Sequence, residues 1–95
     1  MQKEKAIVVT TERGVFFGYV PEDTDLTNKI LRLTNGRMCV KWPADQHGVV
    51  GLAAVGPITG ARISPAAPSL TVHSITLAME CSAEAVHLWE AEPWN

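Results

Sequence analysis

Asn35-Gly36 separates two short apolar-patterned runs, KILRLT (29–34) and RMCVKW (37–42). The dipeptide is the strongest short hairpin signal a chain can carry, because a type I′ turn needs positive φ at both central positions. It predicts two antiparallel strands joined at residues 35 and 36. Alternation in the second strand then divides its side chains between two faces. Met38, Val40 and Trp42 are expected in the core, and Arg37, Cys39 and Lys41 on the other, solvated face.

The rest of the chain fits around that hairpin. AIVVTT (6–11) and VFFGYV (15–20) are β-branched and aromatic, with ERG between them. They predict an earlier hairpin with a bulge, in which Gly14 takes positive φ. PEDTDLTN (21–28) reads as an exposed loop. VVGLAAV (49–55) lacks period-2 alternation and ends at Gly56-Pro57, a helix stop signal. Gly51 inside that helix predicts a close backbone approach. GARIS (60–64) is a short strand candidate, PAAP (65–68) a stiff connector, and LTVHSITLAMEC (70–81) one long strand. In that strand His73, Ile75, Leu77, Met79 and Cys81 share the face expected in the core. Ser82 is placed to cap AEAVHLWEA (83–91), a helix with Glu84 in its first turn and Pro93 beyond it.

The expected fold is a single α+β domain over residues 1–95. It is a small antiparallel sheet or partly open barrel made of two hairpins and a long strand, with one short internal helix and a C-terminal helix. A 95-residue chain has a thin margin of stability. Sheet edges of this kind are commonly covered by pairing between subunits, so a homo-oligomer is expected.

Composition narrows the function. The net charge of −2 does not suit a general nucleic-acid polymer binder, which needs a basic face. Cys39 and Cys81 are too few for a disulfide framework. MQKEK followed by a short apolar run is not of signal-peptide form, and no stretch is long enough to cross a bilayer. The expected location is the cytoplasm.

GLAAVGPI (51–58) has the glycine spacing of a phosphate-binding P-loop but not its Lys-Ser/Thr, and Pro57 removes an amide from the cradle. A capped helix is the plainer reading. An anion site is expected instead at the start of the short helix, around His47 and Gly48. Arg37, Lys41 and Arg62 would neutralise charge, and Trp42 or Tyr19 would stack a ring if turned outward. Arg13 is a further cation. Cys39 with His47 and Asp45 could make a cysteine hydrolase, yet no nucleophile signature surrounds it, and a strand cysteine of this kind usually packs. Cys39, Cys81, His47, His73 and His87 lack the paired spacing of a zinc site, so no metal, cofactor or catalytic group is assigned. Trp94, in EPWN, either folds back over the sheet or anchors a partner.

Taken in order, VVTTERGVFFGYV, RMCVKW, HGVVGLAAVGPITGARISP, LTVHSITLAMEC and EAVHLWEAEPW resemble a group of short uncharacterised bacteriophage and prophage proteins. The resemblance carries no activity residue by residue. It implies a phage gene product acting in the bacterial cytoplasm. The expected function is a non-enzymatic, homo-oligomeric accessory or anti-defence protein that sequesters a small anionic, nucleotide-like ligand. The alternative is a protein–protein interaction module that inhibits a host enzyme or assists phage assembly.

Overall fold

The computed structural model describes residues 3–46 and 48–91, the Asp45 side chain excepted. His47 and Trp94 therefore lie outside the described residues. Strands β1 (Glu4–Thr11), β2 (Gly14–Pro21) and β3 (Leu31–Lys41) are followed by a 3-10 turn (Ala44–Gln46) and helix α1 (Gly48–Ala54). Then come β4 (Arg62–Ile63), β5 (Ala67–Val72), β6 (Leu77–Glu80) and helix α2 (Ala83–Ala91). The strands form one six-stranded antiparallel sheet in the order β4-β3-β2-β1-β6, and β5 pairs with β3 beside β4. The sheet does not close into a barrel. Among the described residues no helix is long and apolar enough to cross a membrane.

β1 and β2 form the first expected hairpin, with Glu12 and Arg13 as its tip between the paired Thr11 and Gly14. Gly14 is not among the positive-φ residues, so the turn closes without the expected left-handed glycine. Ile7, Val8 and Val9 are consecutive and all fully buried, which requires cover on both faces of the sheet. One face carries Val8, Val15, Phe17 and Cys39 and packs on Leu52 of α1 and Trp89 of α2. The other carries Ile7, Val9, Val20, Leu31 and Leu33 and is closed by Val72 and Ile75.

The second hairpin is absent. Asn35 and Gly36 lie inside the single strand β3 and make a bulge. Phe17 pairs with Arg37 and Tyr19 with Thr34, so Gly18 alone faces both bulged residues. Only Asn35 takes positive φ, at 51°, whereas a type I′ turn needs two such residues. The extra residue reverses the phase of the strand. Leu31 and Leu33 face one layer of the core, and Arg37 and Cys39 face the other. The expected face assignment is corrected accordingly. Cys39 and Arg37 are buried at 2% and 8% exposure, while Val40 is 57% exposed. Gly18 has no room for a side chain, since a Cβ there would stand 2.6 Å from Leu33 Cβ.

The expected long strand over 70–81 is also divided. β5 ends at Val72 on one side of the sheet, and β6 starts at Leu77 on the opposite edge. Residues 73–76 cross between them. Ser74 takes φ 58°, Ile75 N donates to Lys29 O at 3.0 Å, and Thr76 N donates to Thr10 O at 2.8 Å. Ile75 enters the core, but His73 is exposed rather than buried.

Both helices obey their local signals. Ser82 Oγ accepts from Ala85 N at 3.0 Å as the α2 cap and donates to Ala54 O at 2.8 Å, joining the two helices. Gly56 takes φ 85°, and its amide returns to Gly51 O at 3.1 Å. Gly51 itself is buried within α1. Gly56 also lets α2 approach, because a Cβ there would lie 3.0 Å from Ala85 Cα.

Candidate functional site

Arg37 is the residue that the phase reversal moves furthest from its expected role. Its Nε donates to Ser64 O at 2.8 Å and its Nη1 to Trp89 O at 2.6 Å. A buried guanidinium on carbonyls near the end of a helix satisfies groups the helix cannot satisfy itself. Arg37 thus fastens α2 to β3 and the segment after β4, and does not share a surface with the other cations. Trp89 completes the joint. Its ring stacks on Phe17 at 4.8 Å, and its Nε1 donates to Leu52 O at 2.9 Å.

Lys41 and Arg62 do come together. They are register partners across β3 and β4 and both are exposed. Trp42 follows Lys41 directly and is half-buried against the helix-side core. Gly48 opens α1 at φ 71° beside Val49. Tyr19 turns to α2, donating its hydroxyl to the Glu90 carboxylate, with its ring edge-on to Phe17 at 5.4 Å. Burial, then the Glu90 hydrogen bond and charge, push its pKa well above the usual value. Of the two rings expected to stack a ligand, only Trp42 remains placed to do so.

Trp42 borders a cleft of about 450 Å³ on the helix-covered face, beyond the first turn of α1. Thr10, Val15 and Cys39 belong to the sheet beneath it, and Val49 and Leu77 also border it. Its far end is the β1–β2 turn with Glu12 and Arg13. Val40 and Leu77, at 57% and 43% exposure, add apolar surface at the edge. Arg13 is exposed and makes no ion pair or side-chain hydrogen bond to another described residue. The sequence marks Arg13 as a cation but does not fix its position. Its place at the tip follows from the Thr11–Gly14 pairing.

Gln46 is the fully buried polar group that the sequence does not announce. Its Nε2 donates to Gly56 O at 2.7 Å, and its Oε1 accepts from Ile58 N at 2.9 Å. It holds the glycine-proline loop against the start of α1, so this loop presents no phosphate cradle. Cys39 lies beneath the cleft. Burial pushes its thiol up to about 11, despite the contact of Sγ with Lys41 O at 3.6 Å. A buried thiol with a raised pKa packs like a small apolar side chain. Cys81 is likewise pushed up to about 12 by burial. Among the described residues no group of three His, Cys, Asp or Glu side chains is placed to hold a metal ion.

No curated protein and no solved structure matches the chain. Residues 3–89 match the family described as Domain of unknown function (DUF6948). That span takes in the sheet, both covered faces and the Trp42 cleft, and the chain belongs to this family of domains of unknown function.

Proposed function

We propose that the chain is a non-enzymatic binding protein that captures a small anionic, nucleotide-like ligand in the Trp42 cleft. The observation that carries this reading is that an aromatic wall, Trp42, and a cation without an ion-pair partner among the described residues, Arg13, border the same cleft of about 450 Å³. Pockets of a few hundred cubic ångströms with apolar walls and a few polar groups suit small ligands. The indole offers a flat apolar surface to a base, and the guanidinium a fork for phosphate oxygens. Lys41 and Arg62 add positive charge next to Trp42, while Arg37 has no part in the site. A ligand that binds only the folded chain raises its melting temperature. A thermal-shift panel of cyclic di- and trinucleotides and ADP-ribose derivatives tests the reading. A concentration-dependent rise for one member supports it, and no rise for any member contradicts it.

The wider setting is inferred from the resemblance to phage and prophage proteins alone. It makes the chain a phage accessory protein that removes a host defence signal in the bacterial cytoplasm. The same reading takes the chain as a homo-oligomer. Among the described residues no strand lies outside β6, and an unpaired edge invites a second copy. Leu77 belongs to β6 and borders the cleft, so pairing there would bring a second subunit next to the ligand.

A second reading is favoured by the apolar rim. Val40 and Leu77, which border the cleft, are 57% and 43% exposed. A host enzyme with a protruding apolar side chain would bury that rim, and the chain would act as an inhibitor. Capture of one host protein that is lost in the Val40→Asp variant, with the small-molecule panel silent, separates this reading from the first.

A further inference from the structure

We propose that the β1–β2 turn and the crossover between β5 and β6 form a phosphate-class anion subsite next to the Trp42 cleft. A cavity of about 240 Å³ lies between Thr11, Glu12 and Arg13 of the turn and His73 and Ser74 of the crossover. It shares residues 11, 12 and 13 with the cleft. A neighbouring cavity of about 320 Å³ is bordered by Glu12, Lys29 and Ser74. The turn thus stands between the ring-binding wall and a polar hollow.

The crossover is held in place for this. Ser74 has φ 58°, a left-handed conformation that non-glycine residues rarely adopt. The flanking bonds of Ile75 N to Lys29 O and Thr76 N to Thr10 O fix it there, and the Thr10 and Thr76 hydroxyls meet at 2.9 Å. Ile75 is thereby driven into the core while His73 and Ser74 are left facing the turn. Strained serines that the surroundings over-determine often stand at ligand sites.

The charges favour an anion. Arg13 and Lys29 are cations, the His73 ring adds a hydrogen-bond donor, and among the described residues Glu12 is the one carboxylate bordering the two cavities. None of Arg13, Lys29 and His73 makes an ion pair or a side-chain hydrogen bond to another described residue. The Ser74 hydroxyl is also without a partner among the described residues. A phosphate in the first cavity would receive a forked, charge-assisted contact from Arg13, stronger than a neutral one, and hydrogen bonds from the His73 ring and the Ser74 hydroxyl, while Lys29 adds positive charge from the neighbouring cavity. The inference deepens the reading of the Trp42 cleft and rests on it only for the uncharged part of the ligand.

Amide and side-chain NMR titration of the intact protein tests it, with pyrophosphate and adenosine added separately. Pyrophosphate is expected to shift Arg13, Ser74 and the His73 ring. Arg13→Gln should weaken it by about tenfold and Lys29→Gln by a smaller factor, as loss of a charged hydrogen bond in the first and of a nearby charge in the second implies. Glu12→Gln should tighten it. The spectra themselves report whether each variant is folded. Absence of shifts with pyrophosphate overturns the subsite, as does equal affinity of wild type and Arg13→Gln, or an identical response to chloride at matched ionic strength. Adenosine reads the cleft alone. If pyrophosphate binds and adenosine leaves the Trp42 indole unmoved, the cleft reading fails and the anion subsite stands.

Discussion

At the scale of single residues, a charge that strand alternation places in solvent is instead a fastener under a helix. Removing the Arg37 guanidinium leaves the carbonyls of Ser64 and Trp89 without their donor. Arg37→Met should therefore destabilise the fold by about 3 kcal/mol, read by urea unfolding. A solvated arginine would change stability by no more than about 0.5 kcal/mol. The thiols offer a second check. Burial raises Cys39 to about 11 and Cys81 to about 12 from an ordinary 9.0. The folded chain holds these protons more tightly than the unfolded chain. Their contribution to stability is complete below about pH 9 and is lost as pH rises through about 11 for Cys39 and about 12 for Cys81. Unfolding measured across that window should show the decline, and it should be shallower in Cys39→Ala. Alkylation of Cys39 at neutral pH should be slow in the folded protein and fast in urea. Alternation along 37–42 was legible, but its phase was not, because one unpaired residue upstream reverses it. Gln46 carried no signal at all, since its partners, Gly56 and Ile58, are brought to it only by the turn of α1.

At the scale of elements, local signals worked where the competing structures were also local. Ser82 caps α2, Gly56 stops α1, and the β1–β2 hairpin forms over the expected residues. They failed where tertiary pairing decides. Asn35-Gly36 has the turn chemistry of a hairpin, yet β2 and β5 pair along both sides of β3 and keep the strand continuous. The positive φ that asparagine tolerates is then used for a bulge. Replacing Gly18, which faces that bulge, tests the account. Gly18→Ala should cost about 1–3 kcal/mol in urea unfolding, because its Cβ would meet Leu33 Cβ at 2.6 Å. A neutral effect would mean that the strands are not paired in this register. The break at Ser74 was illegible because neither glycine nor proline marks it. Ser74→Gly, which relieves the left-handed strain, should leave stability unchanged or raise it by about 1 kcal/mol.

At the scale of the whole molecule, the cleft and the two smaller cavities all border the β1–β2 turn and share Glu12. Lys41 and Trp42 are adjacent in the sequence, but that Arg62 pairs beside Lys41 while Arg37 turns away was not legible, because both depend on the register of β3. Arg13 could not be placed until the hairpin register put it at the tip. The edge of β6, which pairs with no further strand among the described residues, predicts self-association. Light scattering coupled to size-exclusion chromatography should give a dimer or larger at about 100 µM, a range where weak interfaces of a few hundred square ångströms begin to assemble. A monomer at that concentration would contradict the shared-edge reading. The most direct test of the central claim is calorimetric titration of the wild type and of Trp42→Ala with the nucleotide panel. The account predicts measurable heat for at least one phosphorylated member and a loss of about tenfold or more in affinity on removing the ring, as a buried aromatic contact implies. Silence across the panel from a correctly folded protein, or equal binding by the two proteins, would contradict it.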